Sequence, residues 1–200
     1  MSAPGLDQIA PIVVAVFVFL ALCGALVLVT VSVRRPRTVP LLVAGGLVAL
    51  CLVVVAVLPW RLSPVVGAVI ALLAVALATF GGDPFVRWVL SIADGGKTAE
   101  GDRGGILVEL MADRGTTGGA PRQEEILRGG TTIGYLERVA AALSIVAGFP
   151  AAIAVLVALK GIGRFSELAT PAARERFIVG TLASLLWACA VAGIVPLALV

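Results

Sequence analysis

The residues with most chemical potential lie in the last third of the chain. Glu137 and Arg138 stand at the entrance of a long apolar run. Lys160, Arg164 and Glu167 follow its exit at i, i+4 and i+7, so a continuous helix would set them on one face. Glu175 and Arg176 precede the final apolar run, which opens with Thr181 and Ser184. Cations with matching carboxylates beside hydroxyl groups can hold an anionic lipid headgroup through charge-assisted hydrogen bonds. They can equally form a structural ion-pair network. Lys and Arg near helix ends also serve as interfacial anchors, the stem in lipid and the head in water. The candidate cluster is therefore Glu137, Arg138, Lys160, Arg164, Glu167 and Glu175.

A second pattern accompanies it. Gly180, Ser184, Ala188 and Ala192 recur at i+4 spacing in the final run, a small-residue stripe that lets another helix approach closely. Other chemistry is excluded or weak. The chain has no histidine, which removes Ser-His-Asp and Cys-His relays and His-containing metal sites. Cys23, Cys51 and Cys189 each sit inside an apolar run without CxxC spacing and read as small packing residues. Residues 91–98 end in Gly96-Lys97-Thr98 like a phosphate-binding loop. Ser91 takes the place of its first glycine, and the strand-rich domain that such a loop requires has no room here. Gly161-Ile162-Gly163 lacks both a preceding strand and the last glycine of a dinucleotide motif. No catalytic residue, metal site or cofactor is expected.

Three blocks carry a resemblance. Gly134-Tyr-Leu-Glu137-Arg138, then Lys160-Gly-Ile-Gly-Arg164-Phe165-Ser-Glu167-Leu168, then Glu175-Arg-Phe-Ile-Val-Gly180-Thr181-Leu-Ala-Ser184 occur in order. They resemble the C-terminal membrane segment of an uncharacterised family of bacterial multipass proteins, whose pattern reads IG-x-LER, a span, AKS-x-x-RF-x-x-L, then E-Y-x-x-IGT-x-x-S. Gly161 and Arg176 stand where that pattern has Ser and Tyr. The resemblance covers about the last 70 residues. It implies a bacterial membrane protein and brings no activity with it; the use of Ala, Val, Leu, Gly and Arg in place of Ile and Lys looks like an actinobacterial relative.

The elements that must position these residues are membrane helices. Of 200 residues 60% are hydrophobic and 14% charged, with a mean hydropathy of +1.11. A soluble domain has about 45–50% apolar and about 25% charged residues. A span needs about 20 apolar residues. Residues 9–33, 39–58 and 64–80 supply three, the third short unless its helix runs on past Gly81. Residues 139–159 are long enough for a fourth, kinked at Gly148-Phe149-Pro150, with a re-entrant hairpin as the alternative. Residues 177–200 supply a fifth. Residues 84–93 are amphipathic, with Phe85, Trp88, Val89 and Ile92 on one stripe, and predict a helix lying in the interface. From Gly95 to Gly130, glycine pairs and mixed charges predict a mobile loop, with a short helix over 121–128.

The expected fold is thus an all-α polytopic bundle of about five spans, an interfacial amphipathic helix and a flexible Gly-rich loop. It divides into three spans over 1–81, the helix and loop over 82–132, and two spans over 133–200. With the N-terminus outside, five spans place eight basic residues near cytoplasmic ends and five outside. The exceptions gather in the 160–176 connection. The expected location is a bacterial cytoplasmic membrane. The expected role is a non-enzymatic membrane component or subunit, with a small transporter or lipid-handling protein using Lys160 and Arg164 as the alternative. Partners would be the bilayer, an anionic lipid, another membrane protein or a second copy, and not nucleic acid.

Overall fold

The computed structural model describes residues 6–34, 38–58, 61–93, 106–110, 122–126, 130–163 and 171–199. The fold is all-α. Its helices are α1 (Leu6–Arg34), α2 (Thr38–Val57), α3 (Pro64–Ala93), α4 (Gly130–Val146), α5 (Ala152–Gly163) and α6 (Pro171–Leu199). Many of these residues are valine and isoleucine, which are middling helix formers in water. In hydrocarbon every N–H and C=O must bond within its own segment, and that requirement overrides propensity. Helix starts follow local chemistry. Pro64 occupies the first turn of α3, and Ser63 Oγ accepts from the Val66 N–H at 3.5 Å. Four helices are long and apolar enough to cross a membrane: α1, α2, α3 and α6.

The core lies where α1, α2, α3 and α6 meet. Val18, Leu22, Val29, Cys51, Ile70, Leu77, Val191, Ile194 and Val195 are almost wholly buried there. α3 and α6 share the most extensive interface and run antiparallel: the Leu62 N–H reaches Ala198 O at 3.0 Å, and Gly180 faces Val86 and Leu90. α4 packs against both α3 and α6, and α5 packs on α4.

Three expectations change. Residues 139–159 do not form one span. The chain reverses at 147–151, so α4 and α5 form an antiparallel hairpin. The Lys160 ammonium lies 2.5 Å from a Glu137 carboxylate oxygen; along one continuous helix these residues would be about 35 Å apart. α5 has 12 residues, about 18 Å, which is too short to cross about 30 Å of hydrocarbon. The reversal has a local cause. Gly148 takes φ +74°, its N–H bonds Ile145 O at 3.0 Å, and the Phe149 N–H bonds Ser144 O at 2.8 Å. This pair of bonds closes a helix with a left-handed residue, and Pro150 then prevents continuation.

Residues 84–93 are not a separate interfacial helix but the second half of α3. Pro84 forgoes one backbone bond, while Phe85, Val86 and Leu90 pack toward α6 and hold the helix together. Residues 122–126 form a strand, β2 (Arg122–Ile126), and not a short helix. It pairs antiparallel with β1 (Ile106–Leu110), Ile106 opposite Ile126 and Leu110 opposite Arg122. The apolar run of β1 finds a partner that helix-periodicity analysis of 121–128 does not reveal. Most of the Gly-rich loop, with Lys97 and Thr98, lies outside the described residues.

The hairpin changes the charge topology. With α4–α5 returning to the side it left, the 160–176 connection joins the side of the α1–α2 turn and the long loop. Among the described residues of the membrane helices and their ends, Arg61 is the basic residue that lies at the opposite end. Cysteines placed singly at Thr38, Ala93 and Gly163 in a Cys-free background are expected to react alike with an impermeant maleimide added to one side of the membrane: all three labelled or all three protected. Gly163→Cys reacting opposite to Ala93→Cys would restore five spans.

The turn also makes a glycine prediction. A Cβ would meet nothing within 4 Å at either Gly148 or Gly161, but Gly148 alone of the two has a positive φ. Gly148→Ala should therefore destabilise by about 1 kcal/mol, while Gly161→Ala is neutral or stabilising, as read by thermal unfolding in detergent.

Candidate functional site

Arg138 is 3% exposed, at the middle of α4, where it faces α3 and α6. Its Nε donates to Thr79 O at 2.9 Å, and its Nη1 donates to Ser184 Oγ at 3.3 Å. The guanidinium also stands 5.0 Å from the centroid of the Tyr135 ring, which meets Phe80 edge-on. One side chain thus joins three helices. Two glycines make the space. A Cβ on Gly82 would run into the Arg138 stem, and one on Gly134 would stand 3.2 Å from its Nη1. Beside it, Gly81 gives the Trp187 ring the same access to α3, and Trp187 Nε1 donates to Leu77 O at 3.1 Å. Consecutive glycines on α3 therefore admit an arginine and a tryptophan to its backbone carbonyls.

Glu137 and Lys160 form a clasp at the mouth of the hairpin. Their side chains are 14% and 18% exposed, and the Lys160 ammonium also lies 5.7 Å from the centroid of the Phe177 ring on α6. A half-buried pair with an aromatic wall loses less to solvent screening than a surface pair. The clasp ties α5 to both α4 and α6.

The six charged residues singled out from the sequence therefore separate. Glu137, Arg138 and Lys160 come together around α4. Glu175 is exposed on the first turns of α6. Arg164 and Glu167 lie outside the described residues. In the stripe, Ser184, Ala188 and Ala192 are buried and Gly180 faces Val86 and Leu90 of α3. Gly180 thus meets α3 and Ser184 meets α4 of the same chain, and Ala188 and Ala192 belong to its buried core. The cysteines are free thiols, Cys51 buried and the others half-buried. Among the described residues no group of His, Cys, Asp and Glu could hold a metal ion.

Comparison with known proteins finds no matching family model, no matching curated protein and no matching solved structure. The geometry must carry the functional reading by itself. It does show that parts of the three family-like blocks form one unit in space: Gly134 makes room for Arg138, Glu137 binds Lys160, and Ser184 receives Arg138. Thr79, Gly81, Gly82 and Trp187, which complete the unit, were not singled out from the sequence. The doublet Gly81-Gly82 inside an apolar run was the available signal, since small residues there permit close approach.

The fit between Gly82 and Arg138 can be measured by a double-mutant cycle. Gly82→Ala should cost about 1–3 kcal/mol of stability, because the methyl displaces a packed side chain. In an Arg138→Ser background the same change should cost little, leaving a coupling of about 1 kcal/mol or more. Additive losses would show that Gly82 accommodates something other than Arg138.

Proposed function

We propose that this protein is a non-enzymatic subunit of a bacterial cytoplasmic membrane assembly. In this reading its N-terminus is outside and its α4–α5 hairpin re-enters from the cytoplasmic face to meet another membrane protein or a second copy. The observation that carries the reading is the exposed turn at 147–151. Phe149 lies eleven residues before Lys160, about 16 Å along a helix, which is half the hydrocarbon thickness if the clasp sits at the interface. Phe149 is 64% exposed. The backbone bonds of the turn do not engage the carbonyls of Ala147 and Gly148. Non-helical backbone at membrane depth persists where protein or water covers it, not against lipid tails. α5 supports the same conclusion: it has no buried residue in this chain, and its outward side chains are Val155, Val157, Leu159 and Ile162. The polar groups that could have served chemistry, Arg138, Glu137, Lys160 and Ser184, are engaged in joining helices. The resemblance to bacterial multipass membrane proteins agrees with this reading, since its blocks supply those residues.

Site-specific photo-crosslinking in intact cells tests it. A photoreactive residue at Phe149 should give one discrete protein adduct, whose mass distinguishes a second copy from another chain. The same group at Val43, on the outer face of α2, should give lipid adducts. Lipid adducts at both positions would remove the subunit reading.

A further inference from the structure

The joining role of Arg138 leaves part of its guanidinium unused. Nε and Nη1 reach Thr79 O and Ser184 Oγ, but Nη2 is shut off from solvent and has no hydrogen-bond partner. No carboxylate bonds to the guanidinium either. Glu137, its neighbour in the chain, holds Lys160, and Asp83, next to Gly82, holds Arg87. The Tyr135 ring, with its centroid 5.0 Å away, offers the weaker attraction of a π face. A guanidinium stays ionised at any ordinary pH. Buried charge is expensive unless a group of opposite sign pairs with it.

A second buried group beside it also has no partner. Thr181, on α6, is 8% exposed, and its Oγ1 makes no hydrogen bond. Hydroxyls elsewhere in the bundle behave differently. Thr30, Thr79 and Ser144 each donate to the carbonyl four residues back, at 2.7–2.8 Å. That bond is the ordinary resort of a hydroxyl in a membrane helix, and Thr181 does not make it. Thr181 lies one turn before Ser184 on the same side of α6, so Nη2 and Oγ1 both stand beside the Arg138–Ser184 hydrogen bond. Gly134 leaves room there. A Cβ on it would have the guanidinium as its nearest neighbour, 3.2 Å from Nη1 and 3.7 Å from Nη2.

The two groups call for an acceptor, since a guanidinium N–H can only donate and a hydroxyl can donate too. A water molecule could accept from both. Its own hydrogens would then need acceptors, and the positive charge would stay unbalanced. A monovalent anion accepts from both donors and balances the charge.

We propose that a small monovalent anion of the halide class, chloride above all, binds between Arg138 Nη2 and Thr181 Oγ1 and completes the junction of α3, α4 and α6. The Glu137–Lys160 clasp closes the site toward the membrane surface: Phe177, the ring beside Lys160 Nζ, is one turn before Thr181. The anion is a structural ligand of the helix junction.

Melting the full chain in phosphatidylcholine nanodiscs tests the proposal, with sodium chloride compared against sodium gluconate at equal ionic strength so that screening is constant. Chloride should raise the wild-type melting temperature saturably, by about 3–5 °C at roughly tenfold excess over half-saturation, and bromide should replace it. Arg138 also pins the helices, so Thr181→Val carries the test: it keeps the shape of threonine and removes the hydroxyl. Thr181→Val should lose most of the chloride-dependent rise, and Thr181→Ser should keep it. If Thr181→Val fails to fold, Gly134→Ala takes its place, because its methyl fills the space beside the guanidinium, and it should lose the rise as well. A wild-type melting temperature indifferent to chloride, or an equal rise in the variant, would overturn the proposal.

Discussion

A peptide group in hydrocarbon has nothing to bond to except other protein, and that constraint decides how residues 139–159 behave. A run of this length ordinarily continues as one helix, because stopping strands carbonyls and N–H groups at a depth without water. Stopping is tolerable here because Gly148 adopts a left-handed conformation and closes α4 with the two bonds from Gly148 and Phe149. Pro150 has no N–H, and beyond Ala151 the N–H groups of Ala152, Ile153 and Ala154 bond back to Phe149, Pro150 and Ala151. Six backbone hydrogen bonds thus surround the turn from Ala147 to Ala154. With the N–H groups largely satisfied, the hairpin can exist at membrane depth, and the remaining carbonyls define where cover is needed.

The reversal determines what the charged residues can do. Folding 139–159 back on itself carries Lys160 to Glu137, where an ion pair would otherwise have been impossible. It also eases the conflict in the distribution of basic residues, because the end of α5 and the start of α6 lie at the same end of the bundle as the ends of α1 and α3. Arg138 then acts as the pin of the assembly. A guanidinium presents a rigid fork of donors, which suits it to bonding two helices from a third. Burial of that charge is costly, and truncation of a buried charge leaves its partners unsatisfied. Thr79 O and Ser184 Oγ would be those partners. The hairpin, the clasp and the pin therefore depend on one another.

Much of this was legible in the sequence where the signal is local. The apolar runs locate α1 and α2 to within about three residues, because hydropathy over about 20 residues is a direct reading of bilayer thickness, while α6 begins six residues before its run, at Pro171. The i+4 stripe on α6 marks a close helix contact, although the helix that fills it belongs to the same chain. The hairpin was written in Gly148-Phe149-Pro150, a C-terminal glycine followed by a proline. Run length competes with that signal, and only the tertiary pairing of Glu137 with Lys160 resolves the competition. A continuation of the third run past Gly81 was open from the sequence, but its length was obscured because hydropathy falls at Asp83, Pro84 and Arg87 while packing against Trp187 and α6 continues. Arg138 was visible as a charge beside a span, but its acceptor on Thr79 is 59 residues away, and no spacing rule connects them. The same holds for the pairing of β1 with β2.

The re-entrant hairpin is the claim on which topology, clasp and partner surface all rest, and a distance tests it most directly. Spin labels at Ile133 and Gly163, both exposed, bracket the hairpin without touching the clasp or the turn. On one continuous helix these positions are about 45 Å apart. Adjacent antiparallel helices, with axes about 8–10 Å apart, bring the labels to about 10–20 Å. Electron paramagnetic resonance on the Cys-free protein in lipid nanodiscs should give the short distance as a single population. A distribution centred near ~45 Å would mean that residues 139–159 cross the membrane.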